Sequence, residues 1–90
     1  MAEITVEIIN KKGLHARAAA KFVKVVAGCD AQVRVTKIGG DTVPGGSILG
    51  LMMLGAEAGT KLTLIAEGMQ AAEVLEALRT LIGDRFGEAE

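Results

Sequence analysis

Apolar and polar residues alternate at the start of the chain. Ile4, Val6 and Ile8 interleave with Thr5 and Glu7, a period of two that predicts a strand with one face buried. Asn10-Lys11-Lys12-Gly13 breaks the alternation. From Ala16 the period lengthens to that of a helix, with Ala19, Phe22, Val23 and Val26 at i, i+3, i+4 and i+7. This helix is expected to stop near Ala27-Gly28, with Gly28 suited to a left-handed C′ position. Alternation returns from Gln32 to Lys37, with Val33 and Val35 inward and Arg34 and Thr36 outward. Gly39-Gly40 signals a hairpin, and Asp41-Thr42-Val43 reads as a short partner strand ended by Pro44. Ser47 opens a short helix that closes at Gly55. Thr60 to Glu67 is a further strand, with Leu62, Leu64 and Ala66 on one face. Met69 to Ile82 is the longest helix, with Ala71, Val74, Leu75, Leu78, Leu81 and Ile82 as its apolar stripe and Gly83 as its stop.

The order is therefore βαββαβα. Strands with one polar face require a sheet covered on one side only, so the helices stack together on that side: an α+β class. No repeat, linker or low-complexity run divides the chain, and residues 1–90 read as one small domain.

Composition narrows the function. Lys and Arg number 10 against 11 Asp and Glu, and Trp and Tyr are absent, so neither a polyanion-seeking charge nor base-stacking rings are available for nucleic acid. Cys29 is the only cysteine, which excludes an internal disulfide, and it has no metal-ligand spacing with His15. There is no basic, apolar leader and no run of eighteen apolar residues, so a cytoplasmic protein that does not insert in a membrane is expected.

His15, the single histidine, stands directly after Gly13-Leu14 and directly before the first helix, at its N-cap. Unpaired backbone N–H groups and the positive end of the helix dipole face that position, and both favour an anion. Arg17, Lys21 and Lys24 share a second face of the same helix. An imidazole beside free N–H donors and a guanidinium suits a nucleophile that accepts a phosphoryl group and holds its charge. A surface or capping histidine is the alternative that spacing alone leaves open. No second titratable partner, such as an Asp or Cys, stands at a recognisable spacing from His15, which leaves a hydrolase without support.

Two motifs sharpen this reading. Gly13-Leu14-His15-Ala16-Arg17 before a helix of small residues resembles the phosphorylation site of the histidine-containing phosphocarrier protein (HPr) family of the bacterial phosphotransferase system. About thirty residues later, Gly46-Ser47-Ile48-Leu49-Gly50-Leu51-Met52-Met53-Leu54-Gly55-Ala56 is similar to that family's regulatory-serine helix. The resemblance implies an HPr-like open-faced sandwich, a four-stranded antiparallel sheet in order 1-4-2-3 with three helices on one face.

The resemblance also implies a function. His15 would take a phosphoryl group on Nδ1 from enzyme I, itself charged by phosphoenolpyruvate, and pass it to an enzyme IIA-type acceptor. Arg17 and Ala16 would stabilise the phosphate. The protein would be a phosphocarrier in sugar uptake or regulation, not a turnover catalyst, monomeric and without cofactor or metal. A nitrogen-branch regulatory phosphocarrier and a small ligand-binding α+β module are the alternatives.

Ser47 combines an N-cap, worth about 1 kcal/mol, with an implied role as a regulatory phosphoserine made by a dedicated serine kinase/phosphorylase. Leu51 and Leu54 are expected in the core, leaving Ile48, Leu49 and Met52 outside as an apolar docking surface for partners. The chain departs from the family pattern at three places. Ala18 stands where Pro is usual, Lys12 where a small polar residue often orients the imidazole, and Gly45-Gly46 where a polar or basic residue often precedes the serine.

Overall fold

Four strands and three helices form in the expected order in the structure, a computed structural model that describes residues 1–90. They are β1 (Ala2–Glu7), α1 (Ala16–Ala27), β2 (Gln32–Lys37), β3 (Thr42–Pro44), α2 (Ile48–Met53), β4 (Lys61–Glu67) and α3 (Ala71–Gly83), followed by a 3-10 turn at Arg85–Gly87. The sheet order is β1-β4-β2-β3, every neighbour antiparallel. β1 and β2 are therefore parallel, and α1 is the crossover that joins them over the covered face, with β4 inserted between.

Strand alternation places one row of side chains across the sheet. Ile4 pairs with Leu64, Leu64 with Val35 and Val35 with Val43. The inner faces of β1, β4 and β2 supply the buried Val6, Leu62, Leu64, Ala66, Val33 and Val35. The stripes of α1 and α3 meet them, with Phe22, Val26, Val74, Leu75, Leu78 and Ile82 all buried in one cluster. Outward residues such as Glu3, Arg34 and Glu67 are exposed, so the opposite face is polar.

One expected cap differs. Gly28 does not turn left-handed but stays right-handed at φ −82° and ψ −3°. Its N–H reaches the carbonyls of both Lys24 and Val25, and Cys29 N–H reaches Val26, so a tightening last turn satisfies the helix carbonyls. The left-handed glycine appears instead after α2, at Gly55 (φ 64°).

Candidate functional site

The loop from Asn10 to His15 is fixed by backbone contacts before any side chain is considered. Gly13 adopts φ 67°, and a Cβ there would lie 2.4 Å from the Ala56 carbonyl oxygen, so no other residue fits. Leu14 N–H donates to that same carbonyl at 2.8 Å, and its side chain is buried. The chain leaving α2 thus clamps the chain entering α1.

His15 is the N-cap of α1, extended at φ −80° and ψ 180°, and its carbonyl accepts the Ala19 N–H at 2.8 Å. Its side chain makes no capping bond to the helix, which leaves the ring free for another use. The first-turn N–H groups of Ala16, Arg17 and Ala18 have no acceptor within the helix, and no acidic residue occupies that turn. Ala16 and Arg17 are exposed, whereas Ala18 is fully buried.

The imidazole has a partner that periodicity does not reveal. Nε2 of His15 meets the Glu88 carboxylate, a residue 73 positions away, with side chains 28% and 17% exposed respectively. The other Glu88 oxygen accepts from Asn10 Nδ2 at 3.0 Å, and the same Nδ2 donates to the Gly13 carbonyl at 2.8 Å. Asn10 is completely buried. With two acceptors facing one end of its amide, only the NH2 can stand there. The His15 hydrogen bond, foremost, holds the Glu88 carboxyl below the ordinary range; the Asn10 hydrogen bond and the charges of His15 and Lys12 act in the same direction, against burial.

The tail reaches this place because it is anchored. After α3, Arg85 and Phe86 both take φ 55°, Phe86 is completely buried, and Lys21 Nζ donates to the Phe86 carbonyl at 2.5 Å. The Glu90 carbonyl then accepts the Lys11 N–H at 3.0 Å. Between tail and α1 lies an open cleft of about 380 Å³ whose walls include Lys11, Lys12, Arg17 and Lys21. Arg17 stands in that wall and makes no hydrogen bond or ion pair with His15 or Glu88. Lys12 makes no bond to the ring either; the group that touches the imidazole is Glu88.

α2 matches its expected geometry. Ser47 caps it, Oγ accepting from Gly50 N–H at 3.0 Å. Leu51 and Leu54 are buried, while Ile48, Leu49, Met52 and Met53 are 42%, 68%, 43% and 76% exposed. The outer face of α2 is therefore apolar and exposed, and Met53 joins the outer group. α2 packs beside α1, so the apolar surface and the His15 loop belong to neighbouring helices.

A family model described as the PTS HPr component phosphorylation site matches residues 2–84. The chain belongs to the HPr phosphocarrier family. It is 51% identical to the phosphocarrier protein HPr of Pseudomonas aeruginosa over 90 residues, covering all of both chains. It is 37% identical to the phosphocarrier protein NPr of Escherichia coli over 93% of each. The crystal structure of an HPr from Thermoanaerobacter tengcongensis superposes with a TM-score of 0.93 at 43% identity over the whole of both chains. The HPr fold, with sheet order 1-4-2-3 and three helices on one face, is thus shared. Glu88 lies beyond the residues that the family model matches. No helix is long and apolar enough to cross a membrane.

Proposed function

We propose that the protein is a sugar-branch phosphocarrier that accepts a phosphoryl group on Nδ1 of His15 from phosphorylated enzyme I and delivers it to an enzyme IIA-type acceptor. The observation that carries this reading is the placement of the ring. His15 sits at a helix N-cap with its side chain uncommitted to the cap and Nε2 taken by Glu88, so Nδ1 is the nitrogen left open. Phosphoryl transfer passes through a loose, in-line transition state in which the protein chiefly positions groups and balances charge. The free N–H of Ala16, the guanidinium of Arg17 and the N-terminal end of the α1 dipole supply that balance.

The protein is in this reading a substrate of other enzymes and not a turnover catalyst. Ile48, Leu49, Met52 and Met53 form the docking surface, and phosphorylation of Ser47 at its edge would regulate docking. Greater identity to relatives named HPr, at 45–51%, than to those named NPr, at 37–38%, supports the sugar branch over the nitrogen branch.

The test is a two-step relay. Labelled phosphoenolpyruvate with catalytic enzyme I should label the wild type, and the label should then pass to a sugar-branch IIA protein faster than to a nitrogen-branch one. Absence of labelling rejects the carrier reading; preference for the nitrogen acceptor reassigns the branch.

A further inference from the structure

We propose that Glu88 is a positioning residue for phosphoryl transfer: as a carboxylate it accepts a hydrogen bond from Nε2–H of His15 and so keeps the Nδ1 lone pair unprotonated and facing the donor. The inference deepens the carrier reading and rests on it.

Three contacts force the arrangement. One Glu88 oxygen accepts from Asn10 Nδ2 at 3.0 Å, and Asn10 cannot present its oxygen instead, because Gly13 O already requires the NH2 at 2.8 Å. The second oxygen faces Nε2 of His15. A carboxylate has acceptors on both oxygens, so it can serve both neighbours only if Nε2 bears the hydrogen. A neutral ring with hydrogen on Nε2 has its lone pair on Nδ1, and which nitrogen reacts is set by the bond the other one makes. Carboxylate, Asn10 and the Phe86 anchor act together: the buried Phe86 ring and the Lys21 bond to its carbonyl fix where the tail can place Glu88.

The transfer step then balances without moving a proton on this chain. The Nδ1 lone pair forms the N–P bond while the bond between phosphorus and the donor breaks, its electron pair leaving with the donor. Nε2 keeps its hydrogen, and the positive ring so formed faces the Glu88 carboxylate. The Lys12 charge lies near the same carboxylate and helps keep it ionised.

The chemistry predicts an unusual order of variants. In Glu88→Gln the amide oxygen must stay with Asn10 Nδ2, which turns the NH2 toward Nε2. That group donates, so Nε2 becomes the acceptor and the ring hydrogen moves to Nδ1, blocking the nucleophile. Glu88→Ala imposes neither form. The isosteric variant is therefore the worse one, the reverse of what a packing role gives.

Two readouts test this. Because His15 is the only histidine, protein with 15N-labelled histidine reports one ring without assignment. At about pH 8.5, roughly two units above the ordinary imidazole value, the wild type should show hydrogen on Nε2, Glu88→Gln hydrogen on Nδ1, and Glu88→Ala a mixture. Phosphorylation by enzyme I at saturating carrier should fall on the order of tenfold or more in Glu88→Gln, with Glu88→Ala between it and the wild type and KM little changed. Wild-type ring spectra in Glu88→Gln, a Gln variant faster than the Ala variant, or either variant faster than wild type overturns the proposal. If Glu88→Gln fails to fold, Glu88→Ala decides: retention of the single Nε2–H form there is equally fatal. A wild type that phosphoenolpyruvate and enzyme I leave unlabelled would instead defeat the carrier reading, while the spectra still decide what Glu88 holds.

Discussion

Ser47 offers a separation of stability from docking, because its two substitutions should fail in different assays. Oγ accepts from the Gly50 N–H at 3.0 Å, the one side-chain hydrogen bond made to α2. Ser47→Ala removes that acceptor. A lost N-cap costs about 1 kcal/mol, which for a domain of this size lowers Tm by roughly 4–8 °C. Ser47→Asp keeps an acceptor at the cap and adds charge where the N-terminal end of a helix favours it, so its Tm should stay near that of the wild type. The cost appears on docking. The new charge borders Ile48, Leu49 and Met52, all exposed, and complex formation would strip it of water or set it against like charge. Such a juxtaposition can cost several kcal/mol, about a hundredfold or more in affinity. Initial rates of phosphorylation by enzyme I at low carrier concentration, beside thermal melts of both variants, separate the two effects. A Ser47→Asp protein phosphorylated at the wild-type rate refutes the docking surface. A Ser47→Asp melt as low as that of Ser47→Ala refutes the capping argument.

Further outcomes follow from other side chains. Arg17→Ala should slow phosphorylation on the order of a hundredfold while changing stability by no more than about 0.5 kcal/mol, because its side chain is exposed and makes no ion pair; equal rates would reduce it to a solvated charge. Leu49, with 68% of its surface exposed, should lose about 1–2 kcal/mol of docking when cut to Ala, seen as a KM for carrier about five- to thirtyfold higher with Tm nearly unchanged. Leu51→Ala, at a fully buried position two residues on and on the opposite face of α2, should do the opposite and cost about 2–5 kcal/mol of stability. Acid should act through Glu88, whose folded pKa lies below the ordinary value of 4.5. The stability it contributes is therefore complete above that value and is lost as pH falls through the lower folded one. Urea midpoints taken from about pH 5 to about pH 3 should drop further for wild type than for Glu88→Ala, and parallel curves would contradict the assigned pairing.

Local pattern made the strands, the helices and both helix caps at His15 and Ser47 legible, because each depends on residues within a turn or two. Ile4, Leu64 and Val35 announce their common face through alternation alone, yet nothing in their spacing says that β4 lies between β1 and β2. That order came from the family resemblance. Gly28 misled because glycine permits a left-handed turn without requiring one, and here bonds to Lys24 and Val25 made it unnecessary. Glu88 was invisible for a different reason. Its bond to His15 spans 73 residues and depends on Phe86 closing over the core after the helix stop at Gly83. The only hint was an aromatic residue placed just past a helix that had already ended. Asn10 carried no hint at all, since a polar residue in a Lys-rich loop reads as solvated and is instead wholly buried.

The proposed phosphoacceptor can be observed directly because the chain has one imidazole. Protein carrying 15N-histidine is incubated with phosphoenolpyruvate and enzyme I, and the ring nitrogens and phosphorus are followed together by NMR. Phosphorylation on His15 should shift the single ring spectrum, couple phosphorus to Nδ1 and leave the hydrogen on Nε2, and the adduct should be lost in acid and survive alkali. Phosphate incorporated while the ring spectrum stays unchanged, or phosphorus coupled to Nε2, would contradict it.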